Sequence, residues 1–97
     1  MKDETVFITG KITGDPNYRE KFNKAQKELE EEGYIVLNPA FLPPYGFEYE
    51  AYMRMTIPMV MECETLCLLP DWSDSEGSRT EILVGLSNGK KVMLKGE

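Results

Sequence analysis

The segment Leu68-Leu69-Pro70-Asp71-Trp72-Ser73-Asp74-Ser75-Glu76-Gly77-Ser78-Arg79-Thr80-Glu81 decides the reading of the fold. An apolar run ends at Leu69, a polar loop with the only Trp follows, and a helix pattern opens near Ser78. In an open α/β sheet, the loop leaving the carboxyl end of a strand is where ligands bind. This loop carries Asp71, Asp74, Ser75, Glu76 and Gly77, and Glu81 falls in the first turn of the helix.

Working outward, Thr65-Leu66-Cys67-Leu68-Leu69 reads as a strand before the loop. A helix from Ser78 to Ser87 is expected to turn Ile82, Leu83 and Leu86 inward and to stop at Asn88-Gly89. Lys91-Val92-Met93-Leu94 then reads as a further strand. At the other end, Thr5 to Thr9 is a β-branched and aromatic run bounded by Gly10. A helix follows, capped by Asn17 with Glu20 three residues on, or started by Asp15 with Pro16 at its first position. Tyr18, Phe22, Ala25 and Leu29 form its apolar stripe, and Gly33 ends it. Tyr34 to Leu37 is another strand, ended by Asn38-Pro39. Pro43-Pro44-Tyr45-Gly46 blocks regular structure before a helix from Glu48 to about Glu62, where Pro58 removes the bond to Arg54. Tyr49, Ala51, Tyr52, Met53, Met55, Ile57, Met59, Val60 and Met61 go most of the way round that helix. Such a helix is buried on both sides, so the Met-rich surface predicts a homodimer or higher oligomer. The order βαβαβαβ with right-handed crossovers predicts a four-stranded parallel sheet in a three-layer α/β/α, flavodoxin-like or Rossmann-like fold, one domain across residues 1–97.

Composition sets the outer bounds. Apolar residues at 41% and charged residues at 29% describe an ordinary globular chain. A formal net charge of −6, without a Lys/Arg cluster, argues against nucleic-acid polymers and anionic membranes as partners. Cys63 and Cys67 are the only cysteines and there is no His, so a metal site is not expected and two reduced, buried thiols are. Met1-Lys2-Asp3-Glu4 leads straight into a strand with no signal peptide, and no apolar run reaches the roughly 20 residues of a membrane span. The cytoplasm is the expected compartment. Without His, a general acid or base near neutral pH must be a carboxyl, Lys, Tyr or Cys.

The predicted sheet brings the loop after its first strand beside Asp71 to Glu81. In that loop, Gly10 and Gly14 let backbone N–H groups approach an anion, with Lys11, Ile12 and Thr13 between them. The loop is neither a Walker loop nor G-x-G-x-x-G. Glu81 has two readings. Ser78-Arg79-Thr80-Glu81 fits the capping box S-x-x-E, which by local pattern is the simpler account. Asp71, Asp74 and Glu76 are equally readable as loop solvation, and Trp72 as a stacking platform or as a lid over the core.

Together, the strand, Gly10-Lys11-Ile12-Thr13-Gly14, Asn38-Pro39-Ala40, Tyr52-Met53-Arg54 and the W-x-x-S-x-G-x-x-x-E run from Trp72 to Glu81 resemble the nucleoside 2-deoxyribosyltransferase-like superfamily. The closest likeness is to its small phage and bacterial domains, related to 2′-deoxynucleoside 5′-phosphate N-hydrolases. The resemblance implies that Glu81 is a nucleophile attacking C1′ of a deoxynucleoside or its 5′-monophosphate, with no cofactor. It implies contacts from Ser75, Gly77, Ser78 and the Gly10–Gly14 loop, with Trp72 as a base-stacking wall. Ser75 stands where nucleoside transferases carry Asp and nucleotide hydrolases Ser, which points to a 5′-phosphorylated substrate. Thr56 stands near the place of an Asp that assists base departure, which leaves Asp71 or Asp74 to supply the acid. A non-catalytic nucleotide-binding module and a transferase of free nucleosides are the alternatives.

Overall fold

Short β-branched and apolar runs form four strands: β1 (Thr5–Thr9), β2 (Ile35–Leu37), β3 (Thr65–Leu68) and β4 (Lys91–Leu94). Between them lie α1 (Tyr18–Glu31), α2 (Tyr49–Glu62) and α3 (Glu76–Ser87). This computed structural model describes residues 4–43 and 45–96. The expected entry through Met1-Lys2-Asp3 and the Pro44 position lie outside the described residues.

All pairings are parallel, in the order β2-β1-β3-β4. β1 and β3 occupy the centre, with Val6 opposite Thr65 and Thr9 opposite Leu68. The chain steps from β1 outward to β2, then crosses back over β1 to β3 and on to β4. Right-handed crossovers therefore place α1 on one face and α2 and α3 on the other. The reversal leaves a crevice above the carboxyl ends of β1 and β3.

The core is split by the sheet. Val6, Ile8, Cys67 and Leu69 pack with Tyr18, Phe22, Ala25 and Leu29 of α1. Phe7, Leu66 and Leu68 pack with Val60, Cys63 and Ile82 on the α2–α3 side. Alternate residues of β1 and β3 thus serve opposite layers, as the two-residue strand period requires. Cys63 and Cys67 consequently sit in different layers, and burial pushes both thiols up to about 11.

Several local expectations change. Asn17 is the residue before α1, but its side chain makes no cap; Asp15 instead accepts a bond from the Asn17 N–H at 2.9 Å. α1 otherwise buries the expected stripe, and Gly33 turns the chain away with φ +98°. α2 runs unbroken through Pro58, and only Thr56 and Val60 of this apolar helix are fully buried in the single chain. α3 starts at Glu76, two residues early, because Ser75 caps it: Ser75 Oγ accepts from the Ser78 N–H at 3.1 Å. Ser78 is then an interior residue and no capping box with Glu81 forms. α3 buries Ser78, Glu81, Ile82 and Gly85, while Leu83 and Leu86 face outward. The reason is close approach to the sheet. A Cβ at Gly85 would lie 2.7 Å from Leu66 Cδ1, so the face with the smallest residue is the one that can pack there.

Candidate active site

Two loops meet at the crevice. Gly10 leaves β1 so close to the end of β3 that an added Cβ would stand 2.8 Å from Leu69 Cδ1, which restricts this position to glycine. A cluster of charges then locks the loops together. Lys21 Nζ of α1 donates to Lys11 O at 2.9 Å, to Asp15 Oδ2 at 2.6 Å, and to Asp71 Oδ2. Asp71 Oδ1 accepts from the Lys11 N–H at 3.0 Å. Burial pulls the Lys21 pKa down, but its hydrogen bonds to Asp15 and Asp71 outweigh that and leave it raised. The hydrogen bond from Lys21 holds the Asp15 carboxyl below its ordinary value.

Above this frame lies a cavity of about 150 Å³. A cavity of that size admits one small ring, so the remainder of a larger ligand must extend through the mouth. Thr9 and Gly10 of the β1 end, Tyr18 and Phe22 of α1, Met53 and Thr56 of α2, and Ser75, Gly77, Ser78 and Glu81 around α3 contribute to its lining. Glu81 is 7% exposed. Its Oε1 accepts from Thr9 Oγ1 at 2.8 Å, and Thr9 Oγ1 is also 2.8 Å from Ser78 Oγ. Thr9 has one proton, so with Glu81 ionised the chain of donors runs Ser78 to Thr9 to Glu81. Burial pushes Glu81 up to about 7 from 4.5, opposed by the hydroxyls of Thr56 and Thr9. The Thr56 hydroxyl acts on the carboxyl from nearby without completing a hydrogen bond. A carboxyl kept dry and balanced by neutral hydroxyls is poised to change protonation near neutral pH.

The structure divides the residues singled out above. Gly10, Ile12, Ser75, Gly77, Ser78 and Glu81 line the cavity together. Lys11, Gly14, Trp72, Asp71 and Asp74 do not. Asp71 is engaged by Lys21 and the Lys11 amide, which also removes that amide from any anion cradle. Asp74 is exposed within a single 3-10 turn, Trp72–Asp74. Trp72 is partly buried and packs against the core layer beneath α2 and α3, as the lid reading expects. With Glu81 ionised the Ser78 hydroxyl spends its proton on Thr9, which leaves only its oxygen to accept from a ligand. Among the described residues, no three His, Cys, Asp or Glu side chains converge as a metal-ligand set.

Sequence reasoning passed over Thr9, Tyr18 and Tyr49 as site residues, and gave Tyr52 and Met53, part of the resemblance, no role in the site. Thr9 had a signal: it is the polar last residue of an apolar central strand, at the edge where ligands bind. Tyr18 had none, since it fits the helical core stripe as well as Phe22 does.

Comparison with known proteins agrees with this architecture. The curated proteins give no match. Among solved structures, a 2-desoxiribosyltransferase from Leishmania mexicana superposes with a TM-score of 0.73 at 16% identity. The match covers 94% of this chain and 63% of the other, so this chain spans less than two thirds of that neighbour. At such identity the likeness is one of fold. A family model described as a domain of unknown function, DUF4406, matches residues 4–94. That span takes in every strand and helix that builds the cavity, and the chain belongs to the DUF4406 family.

Proposed function

We propose that this domain cleaves the N-glycosidic bond of a 2′-deoxynucleoside 5′-monophosphate, with Glu81 as nucleophile. The observation that carries the reading is a buried Glu81, offset by hydroxyls, in a ring-sized cavity at the switch point. The name of the Leishmania neighbour, a 2-desoxiribosyltransferase, supports the same class of chemistry.

In the first step the ionised Glu81 attacks C1′, the C1′–N bond breaks, and its electron pair leaves with the base. In the second, water displaces Glu81 from the deoxyribosyl ester and regenerates the carboxylate. Thr9 fixes the attacking oxygen, and its hydrogen bond moderates the effect of burial so that the carboxylate exists near neutral pH. The Ser75 oxygen accepts from Ser78 N–H, which leaves its own proton free for a phosphate oxygen. The N–H groups of Glu76 and Gly77 open α3 without partners inside the helix and favour an anion. The anionic substrate thus meets α3 at its positive end.

One observation favours a non-catalytic nucleotide-binding module: Glu81 is the sole carboxyl among the lining residues, so no second acid faces the leaving base. Incubation with deoxynucleosides and their 5′-monophosphates separates the readings. Free base from monophosphates is expected; nucleotide binding without base release supports the module. Release from nucleosides alone overturns the phosphate argument from Ser75, and exchange of the base when a second free base is added then assigns the transferase reading. For α2, whose Ala51, Met53, Met55, Ile57 and Met59 stay half-exposed in one chain, we propose a partner copy as the cover. Light scattering of Met55→Lys against the parent tests it, with loss of a dimer expected.

A further inference from the structure

The buried polar groups of the cavity are not all accounted for by the nucleophile. Two buried side-chain atoms among the described residues lack a hydrogen-bond partner, Tyr18 Oη and Thr56 Oγ1, and both residues line this one cavity. Tyr18 is 9% exposed and Thr56 5% exposed. A water-excluded hydroxyl without a partner destabilises a fold, and such groups are few in native proteins. Thr56 has a use, since it acts on the Glu81 carboxyl. Tyr18 does not.

The other two phenols in the lining show the contrast. Tyr52 Oη donates to Pro43 O at 2.7 Å, and Tyr49 Oη pairs with Thr80 Oγ1 at 3.0 Å. Tyr18 is the phenol left free. Its ring is held firmly, at the first residue of α1 and packed in the α1 layer with Phe22 and Leu69. It approaches the cavity from the face of the sheet opposite to Glu81, so a ligand lying across the β1 edge has Glu81 on one side and Tyr18 on the other.

On the proposed glycosidic reading, we infer that the Tyr18 hydroxyl is the hydrogen-bond donor to the departing base. As the C1′–N bond breaks, its electron pair stays on the heterocycle and spreads to a ring nitrogen or carbonyl. A fixed, buried, neutral O–H stabilises that charge as it develops. The base takes its proton from water after release, and the water that opens the Glu81 ester returns one, so each turnover consumes a single water. This arrangement meets the need for leaving-group assistance without a second carboxyl.

The Tyr18→Phe variant removes only the hydroxyl. Because that group has no partner in the free protein, the variant is expected to melt at or above the temperature of the parent. Its kcat/KM on deoxynucleoside 5′-monophosphates should fall by about 100- to 1,000-fold, the usual range for one preorganised donor. Cleavage of 4-nitrophenyl 2-deoxyriboside 5-phosphate, whose leaving group needs no help, should stay at the parental rate. Equal losses on both substrates, no loss on monophosphates, or a clear drop in melting temperature each overturn the inference. If the parent releases no base at all, the reading of the reaction fails separately, and calorimetric titration with free adenine, guanine, cytosine and thymine decides the contact. A roughly tenfold weaker affinity in Tyr18→Phe then supports it, and unchanged affinity or the absence of any binding to the parent overturns it.

Discussion

Asp71 and Glu81 lie ten residues apart on one loop–helix segment, and the fold treats them in opposite ways. Asp71 meets Lys21 and the Lys11 amide at a partly solvated junction, where its charge ties the loops after β1 and β3 together. Glu81 points under α3 into a cavity, where the groups opposing its burial are two hydroxyls. The same functional group becomes a clamp where a cation compensates it, and a buried carboxyl that changes protonation near neutral pH where nothing charged does. Both Asp71 carboxyl oxygens are engaged, one by Lys21 and one by the Lys11 amide, whereas Glu81 faces the cavity.

The largest effect should come from Glu81→Gln, with base release from monophosphates down by at least about 10³-fold. A variant that keeps its rate removes Glu81 from the chemistry. The same substitution reads the cost of burial. A carboxyl with its folded pKa raised from 4.5 to about 7 binds a proton that the unfolded chain has released. Stability therefore falls as pH rises from 4.5 to about 7 and stays reduced above, by on the order of 3 kcal/mol. Denaturant unfolding of parent and Glu81→Gln should coincide near pH 4 and separate by up to that amount at pH 8, with the variant more stable. In the same range, kcat/KM of the parent should rise with pH through about 7; an acid limb near 4.5 would show that Glu81 is solvated.

Asp71→Asn sharpens the comparison from the other side. The pair with Lys21 is partly exposed, so the loss of stability should be about 1 kcal/mol or less. Activity should drop with the looser loops while the acid limb of the pH profile stays in place. A displaced limb would give Asp71 a part in the reaction. The smallest effect belongs to Thr9→Val, which removes a bond that favours the charged carboxyl and should move the acid limb upward.

Much of this was legible in the chain. The four strands follow from runs such as Val6-Phe7-Ile8 and Leu66-Cys67-Leu68, and the stripe Tyr18, Phe22, Ala25 and Leu29 marks α1. Their order and right-handed crossovers suffice for the sheet. In α3 apolar character alone does not find the inner face: Ile82 is buried as expected, but Leu83 and Leu86 are exposed. Ser78, Glu81, Ile82 and Gly85 form as regular a stripe as any, spaced three and four apart, but it is small and polar. Leu83 and Leu86, the obvious core candidates, are outside. The position of Glu81 depended on whether Ser75 or Ser78 caps the helix, and both are serines with adequate local chemistry.

The sequence by itself thus determined the element order, the parallel sheet and the edge at which a ligand can sit, because those depend on periodicity and chain connectivity. It could not determine which carboxyl is buried and which is paired. That is set by Lys21, Thr9 and Thr56, which lie far from Asp71 and Glu81 along the chain and reach them only once the layers have packed. Charge, burial and hydrogen bonding act through space over a few ångströms, and only the tertiary structure supplies those distances.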